Sequence, residues 1–405
     1  MKVDFFAAIS DGEFECLDFH DVNSLSDQEK GKISEGIRKI LYLLLEDLDY
    51  QHRVEPTDEL LRYEIQDCSN EHLAPLFPDK EKVLHSILEC SAECAEYFYP
   101  LCQHETKLIM AIITSIFVAS DDNSILNPEE RRSLSYFSFN HYQILPEESR
   151  WHTVLSKGLK MCAEYFGSQD PLIGSLTARS YCSFVDACAQ ETRLEHELPL
   201  HILDHGPSHL NSEDCSVEGF PDYFRSSSAA PLLYLVPIFK ISRQKEVPAH
   251  FWTSVIPAIS KFINHMNDLL SCPKEVLAGE SWNYLSMKTK TKRQAGRPTI
   301  FKSKYSGLWT FRDTLYETIS EMQRTTLALD KAFTQCIMTE MLGLSAHTND
   351  ASRCAKKKQS QVHEEVQLAA QLWTAYKHGY IAWHINCNRY GLERLPFEGY
   401  TYMVK

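Results

Sequence analysis

Asn267-Asp-Leu-Leu-Ser-Cys-Pro-Lys-Glu275 closes an apolar window that opens near Ala249, and its spacing reads as a helix. Asn267, Ser271 and Glu275 fall at i, i+4 and i+8, so an α-helix turns each by about 40° from the last and stacks their oxygens on one face. Asn267 and Glu275 are then about 12 Å apart along the axis, a span that the long Glu side chain and the N-terminal lean of helical side chains bring within reach of one ion beside Ser271. A carbonyl, a hydroxyl and a carboxylate suit a small hard cation that keeps waters and phosphate oxygens in its shell, which describes Mg²⁺. The alternative reading is a polar helix end with no ligand.

The helical period extends outward from this stretch. Ile33, Ile37, Leu41 and Leu44 share one helix face. Further windows run near 81–99, 104–120, 151–166, 173–191, 250–272, 310–343 and 362–388, most of them separated by Pro, Gly, Ser or Asn clusters. Strand-like alternation is scarce, so the expected fold is an all-α bundle of many helices. No internal repeat or shift of composition marks a boundary, and a single domain over 1–405 follows, with about 1–25 as an N-terminal extension. Lys288, Lys290, Lys292, Arg293 and Arg297 make 276–306 a basic stretch, expected to be a mobile surface loop or a lid over an anionic ligand. A second polar stretch, His347 to Gln361, has no assigned function.

Composition narrows the function. The 405 residues carry 41 Lys and Arg against 55 Asp and Glu, a net charge of -14. That balance argues against general affinity for nucleic acid or anionic membranes, so an anionic ligand needs local cations or metal. Thirteen Cys without regular paired spacing read as buried thiols of a reducing compartment, the cytosol. No segment reaches the roughly 18 to 20 uninterrupted apolar residues of a membrane span, and no export signal is visible.

Three further features carry chemistry. Asp121-Asp122 follows the apolar run Leu108 to Ala119, and a carboxylate pair at the end of a buried helix suits divalent cations at the mouth of an apolar cavity. The same residues, followed by Asn123-Ser124, read equally as an exposed loop. An EF-hand is excluded, because the sixth and twelfth positions counted from Asp121 are Leu126 and Arg132. Arg225 in PDYFRSSSAAP and Arg389-Tyr390 at the end of GYIAWHINCNRYGLERL offer guanidinium forks and a hydroxyl suited to phosphate, although each Arg taken alone reads as a surface residue.

Together these residues resemble class I terpene synthases, most closely the fungal trichodiene synthase family, from about residue 100 to the C-terminus. The resemblance implies a helical bundle around a central active-site cavity. By it, Asn267, Ser271 and Glu275 bind one Mg²⁺ and Lys274 contacts diphosphate, while Asp121 leads the aspartate-rich motif and bridges two more ions. Arg225 corresponds to the diphosphate-sensing arginine, and Arg389 and Tyr390 to the C-terminal Arg-Tyr pair. Two positions depart from the family pattern. Ile125 stands where that motif usually has an acid, and Pro273 lies inside the second motif, where proline removes a backbone hydrogen bond.

The chemistry implied is ionisation of a linear isoprenoid diphosphate, with farnesyl diphosphate as the family expectation, followed by cyclisation to a sesquiterpene. Three Mg²⁺ and the Arg and Lys donors neutralise the leaving group, and ring faces stabilise the carbocation in a dry pocket. Phe117 and Trp383 are candidates for that lining, with ordinary core packing as their other reading. The family also implies a homodimer. The alternatives are a chain-elongating prenyltransferase and an inactive scaffold of the same fold; a zinc site on Cys90, Cys94, Cys102 and His104 fits usual zinc spacings poorly.

Overall fold

The computed structural model describes residues 12–121, 125–140, 150–196, 217–301, 307–346 and 353–392. Helices dominate them: α1 Asp27–Asp47, α2 Glu59–His72, α3 Glu81–Phe98, α4 His104–Asp121, α5 Pro128–Leu134, α6 Phe137–Asn140, α7 Arg150–Phe166, α8 Pro171–His196, α9 Phe220–Ser228, α10 Pro231–Phe239, α11 Ile256–Ala278, α12 Tyr284–Gln294, α13 Phe311–Ala346 and α14 Arg353–Asn386. Between α10 and α11 a short antiparallel pair joins Lys240–Ser242 to Lys245–Glu246. The all-α expectation holds.

Local chemistry starts and stops these helices. Ser26 caps α1 through a capping box with Glu29, which satisfies amide groups that the first turn leaves open. Ile33, Ile37, Ile40, Leu41, Leu44 and Leu45 then bury one face of α1, each contributing about 1.5–3 kcal/mol relative to exposure. That face packs on α11. At its far end α11 stops at Gly279, whose φ of 74° is the left-handed cap that glycine adopts without strain.

The approach of α14 to α3 is equally specific. A Cβ at Gly379 would lie 1.7 Å from the carbonyl oxygen of Tyr97, so only glycine lets the two helices meet this closely. Their contact places Phe98, Tyr380 and Trp383 against one another, with ring centroids of Phe98 4.6 Å from Tyr380 and 5.2 Å from Trp383.

Three expectations need correction. The helix carrying Asn267 does not start near Ala249. Two 3₁₀ turns, Ala249–Phe251 and Thr253–Val255, precede it, and α11 begins at Ile256 with Pro257 in its first turn, a position that needs no amide hydrogen. The described part of the supposed extension belongs to the core: Phe14, Leu17, Phe19 and Val22 are buried, and Phe19 stacks on Phe311; residues 1–11 lie outside the described residues. The basic stretch is no surface loop over its middle. It forms α12, with Lys288 and Lys290 buried, Lys288 3.2 Å from Glu317 and Lys290 3.9 Å from Asp21. Acids from α13 and the N-terminal segment neutralise a run whose own charged residues are all basic; 302–306 and, in the second polar stretch, 347–352 lie outside the described residues.

No described helix is long and apolar enough to cross a membrane. Cys16, Cys68, Cys90, Cys94, Cys102, Cys162, Cys182, Cys188, Cys272 and Cys387 are free thiols. The zinc alternative has no geometry to support it, since His104 bonds Glu64 at 2.7 Å and the Cys102 thiol faces the Pro237 carbonyl.

Candidate active site

A cavity of about 670 Å³ opens between α3, α4, α8, α9, α10, α11, α12 and α14. Phe117, Asp121, Arg225, Asn267, Ser271, Lys274, Glu275, Trp383, Arg389 and Tyr390 all line it. Residues read from four separate parts of the sequence therefore meet around one hollow. Asp122, the second acid of the pair, lies outside the described residues, and Ile125 is buried.

The lining is divided. Asp121 is the last residue of α4, Ser271 to Glu275 lie in the last two turns of α11, and Arg389 and Tyr390 form the 3₁₀ turn after α14. The C-terminal ends of α11 and α14, with their partial negative charge, thus share one polar rim. Earlier turns of the same helices supply apolar wall: Phe117 on α4, Ile263 on α11, Tyr380 and Trp383 on α14. Phe117 stacks on Phe184 of α8 at 3.9 Å. Within the wall one polar pair stands out, the Tyr234 hydroxyl donating to Thr114 Oγ1 at 3.4 Å.

Pro273 does not break α11, which runs unbroken to Ala278. The Pro273 carbonyl accepts a bond from Ser34 of α1 at 3.0 Å. Glu275 stays on the cavity side with Asn267 and Ser271. Burial raises its carboxyl to about 7, against the opposing pull of the Ser271 hydroxyl and Lys274. A carboxylate this reluctant to ionise is one that a divalent cation would discharge of its proton.

Arg225 reaches α11 from α9. Its Nη2 donates to Asn267 Oδ1 at 2.7 Å, and its Nε lies 2.8 Å from Asp268 Oδ1. Burial works against the guanidinium charge, yet Asp268, Tyr380, Glu275 and Glu191 together raise its pKa above the ordinary value. Behind Asp268 stands His265, with Nδ1 3.9 Å from Asp268 Oδ2 and Nε2 3.3 Å from Glu321 of α13. Burial opposes the His265 charge and the two carboxylates overcome it, so its pKa is raised. Burial likewise opposes Arg389, but Tyr390 and Asp121 lead the charges that hold it firmly protonated. Lys274 Nζ sits 5.8 Å from the Tyr390 ring centroid, within cation–π range.

The sequence reading missed Asp268, Glu191, Phe98, Tyr380 and His384. Asp268 was inside the quoted stretch but lies off the i, i+4, i+8 face. His384 is adjacent to Trp383, and its partner Asn267 is 117 positions away, a pairing that spacing does not reveal. Burial, then Arg389 and Lys274, lowers His384 to about 3, with its bond to the Tyr380 carbonyl acting the other way.

Among the described residues no three His, Cys, Asp or Glu side chains form a group that could hold a metal ion. The donors converging here are of mixed type: the Asn267 carbonyl, the Ser271 hydroxyl and the Glu275 and Asp121 carboxylates. All are oxygens, and the buried Asp268 Oδ2 beside them has no hydrogen-bond partner. This chemistry fits a hard divalent cation.

No protein-family model matches the chain. Its fold is shared with germacradien-4-ol synthase from Streptomyces citricolor, at a TM-score of 0.50 and 13% identity over 83% of this chain and 96% of that one. The helical bundle therefore has the fold of that synthase. In sequence the chain is similar to terpene synthase BipA of Cochliobolus sativus, 28% identical over 189 residues, covering 47% of this chain and 52% of that protein. It is also similar to the (E)-beta farnesene synthase of Metarhizium brunneum, 25% over 225 residues, 55% of this chain and 62% of that protein. Terpene synthase 29 of Postia placenta matches at 23% over 319 residues, 79% of this chain and 74% of that protein. The chain thus spans about half the length of BipA.

Proposed function

We propose that this protein is a class I terpene cyclase that ionises farnesyl diphosphate and closes the resulting carbocation to a sesquiterpene, with Mg²⁺ as cofactor. One observation carries the reading. Oxygen donors from α4 and α11 and cationic side chains from α9, α11 and the turn after α14 rim a single cavity whose wall is aromatic. The names of the sequence relatives support a terpene synthase, and that of the farnesene synthase supports a farnesyl substrate.

Asp121, Asn267, Ser271 and Glu275 are the residues that would hold the metal, three ions by the family pattern. Bound there, Mg²⁺ supplies the positive charge that lets a diphosphate depart. Arg225, Lys274 and Arg389 bind and orient that diphosphate, and the Tyr390 hydroxyl adds a donor. Phe98, Phe117, Phe184, Tyr380 and Trp383 line the cavity and would exclude water and offer aromatic rings to the cation. A trichodiene synthase type of chain, a cytosolic setting and a homodimer belong to the same proposal.

Turnover of farnesyl diphosphate by Asp121→Ala, Asn267→Ala and Arg225→Ala tests it. Each is expected to fall by roughly 10²-fold or more; near-normal rates in all three sink the assignment.

A further inference from the structure

Between Asn267 and His384 runs a hydrogen-bond chain whose direction is fixed at both ends. Arg225 is donor only, so the Asn267 atom 2.7 Å from its Nη2 is the amide oxygen. The other face of the amide, its NH₂, therefore meets His384 Nε2 at 3.1 Å. At the far end the Tyr380 carbonyl is acceptor only and lies 2.8 Å from His384 Nδ1, which must carry the hydrogen. His384 Nε2 is left with a lone pair pointing at the Asn267 NH₂. Every group has one role, and a flipped amide would set donor against donor at Arg225.

His384 itself is immobilised. It is fully buried, and the rings of Tyr380, Trp383 and Tyr390 lie with centroids 4.6, 4.7 and 4.5 Å from its own. The Asn267 amide is held by His384 on one side and by Arg225 on the other, and the proposed reaction requires Arg225 to engage diphosphate. Once Arg225 turns away, an amide without a second partner is free to present either its oxygen or its NH₂ to the cavity, and only the oxygen is a metal ligand.

We propose that His384 is the positioning residue that keeps the Asn267 carbonyl oxygen turned toward the cavity. The inference rests on the reading of Asn267 as a metal ligand, and nothing in that reading requires a histidine at this place. Groups that orient a metal ligand from behind typically affect metal affinity by about 10–100-fold.

The test is the Mg²⁺ concentration at which a fixed amount of inorganic diphosphate raises the thermal unfolding temperature of the full chain. His384→Phe keeps a ring but offers no acceptor, and the Mg²⁺ midpoint is expected to rise about 10–100-fold. Asn267→Asp makes both faces of the ligand oxygen, so adding His384→Phe to Asn267→Asp is expected to raise the midpoint no further. An unchanged midpoint in His384→Phe overturns the inference, as does an equal rise in both backgrounds, which marks a packing defect. His384→Gln restores an acceptor oxygen and covers the case in which His384→Phe does not fold; it is expected to stay near the wild-type midpoint, and a rise of tenfold or more overturns the inference. A wild-type chain with no Mg²⁺-dependent shift overturns the metal reading itself, an outcome separate from all of these.

Discussion

Arg225 donates to the side-chain oxygen of Asn267 across 2.7 Å, joining α9 to α11 at the rim of the cavity. One side chain read as a diphosphate donor thus rests on one read as a metal ligand, with Asp268 holding its Nε at 2.8 Å. Ligand entry must trade these bonds for new ones. Arg225→Lys keeps the charge and loses the fork. Its diphosphate-induced thermal shift is expected to shrink and its kcat to fall by roughly 10²-fold or more, whereas a kcat within a few-fold of wild type would show that the fork is not used.

Glu275 makes the site pH-dependent. Its folded-state pKa of about 7 lies above the ordinary 4.5. The folded chain therefore binds more protons than the unfolded one between those values, and the stability associated with this group, present below about 4.5, is lost as pH rises through about 7. Glu275→Gln has no such loss. Without metal, its unfolding temperature is expected to gain on wild type between pH 5 and pH 8. With metal the sign reverses for wild type alone: Mg²⁺ stabilisation grows as pH passes about 7, because binding needs the ionised carboxylate. Parallel curves for the two proteins would contradict the assignment.

Gly379 sets the spacing of α14 against α3. An added methyl meets the Tyr97 carbonyl oxygen at 1.7 Å, and relieving that overlap shifts the helix that carries Tyr380, Trp383 and His384. Gly379→Ala is expected to cost about 1–3 kcal/mol in urea unfolding. A stability equal to wild type would mean that the two helices do not meet as described.

The Tyr234–Thr114 pair is a polar interruption of the aromatic wall. A hydroxyl near a travelling cation influences where a proton leaves. Tyr234→Phe is expected to alter the ratio of products in mass spectrometry while diphosphate release continues. Loss of release with an unchanged product ratio would move Tyr234 from the wall to the leaving-group machinery.

How much of this was legible depends on whether partners are near in sequence. Asn267, Ser271 and Glu275 declared themselves because a helix converts i, i+4, i+8 into one face. The apolar run before Asp121 likewise marked the helix that carries it. Lysines 288, 290 and 292 misled, because their neutralising acids, Asp21 and Glu317, come from elsewhere and only tertiary packing brings them together. His384 was invisible for the same reason: a buried histidine beside a tryptophan reads as core until Asn267, 117 positions earlier, is seen against its Nε2. Short helices such as α9 and α10 also escaped, since nine residues hold too few turns to establish a period.

The central claim is tested most directly by incubating the purified chain with farnesyl diphosphate and Mg²⁺, then measuring volatile products by gas chromatography–mass spectrometry alongside released diphosphate. The expected result is a cyclic hydrocarbon or its alcohol, with one diphosphate released per substrate consumed, and both abolished by a chelator. Substrate returned intact, or extended to a longer prenyl diphosphate when a second isoprenoid diphosphate is supplied, would contradict it.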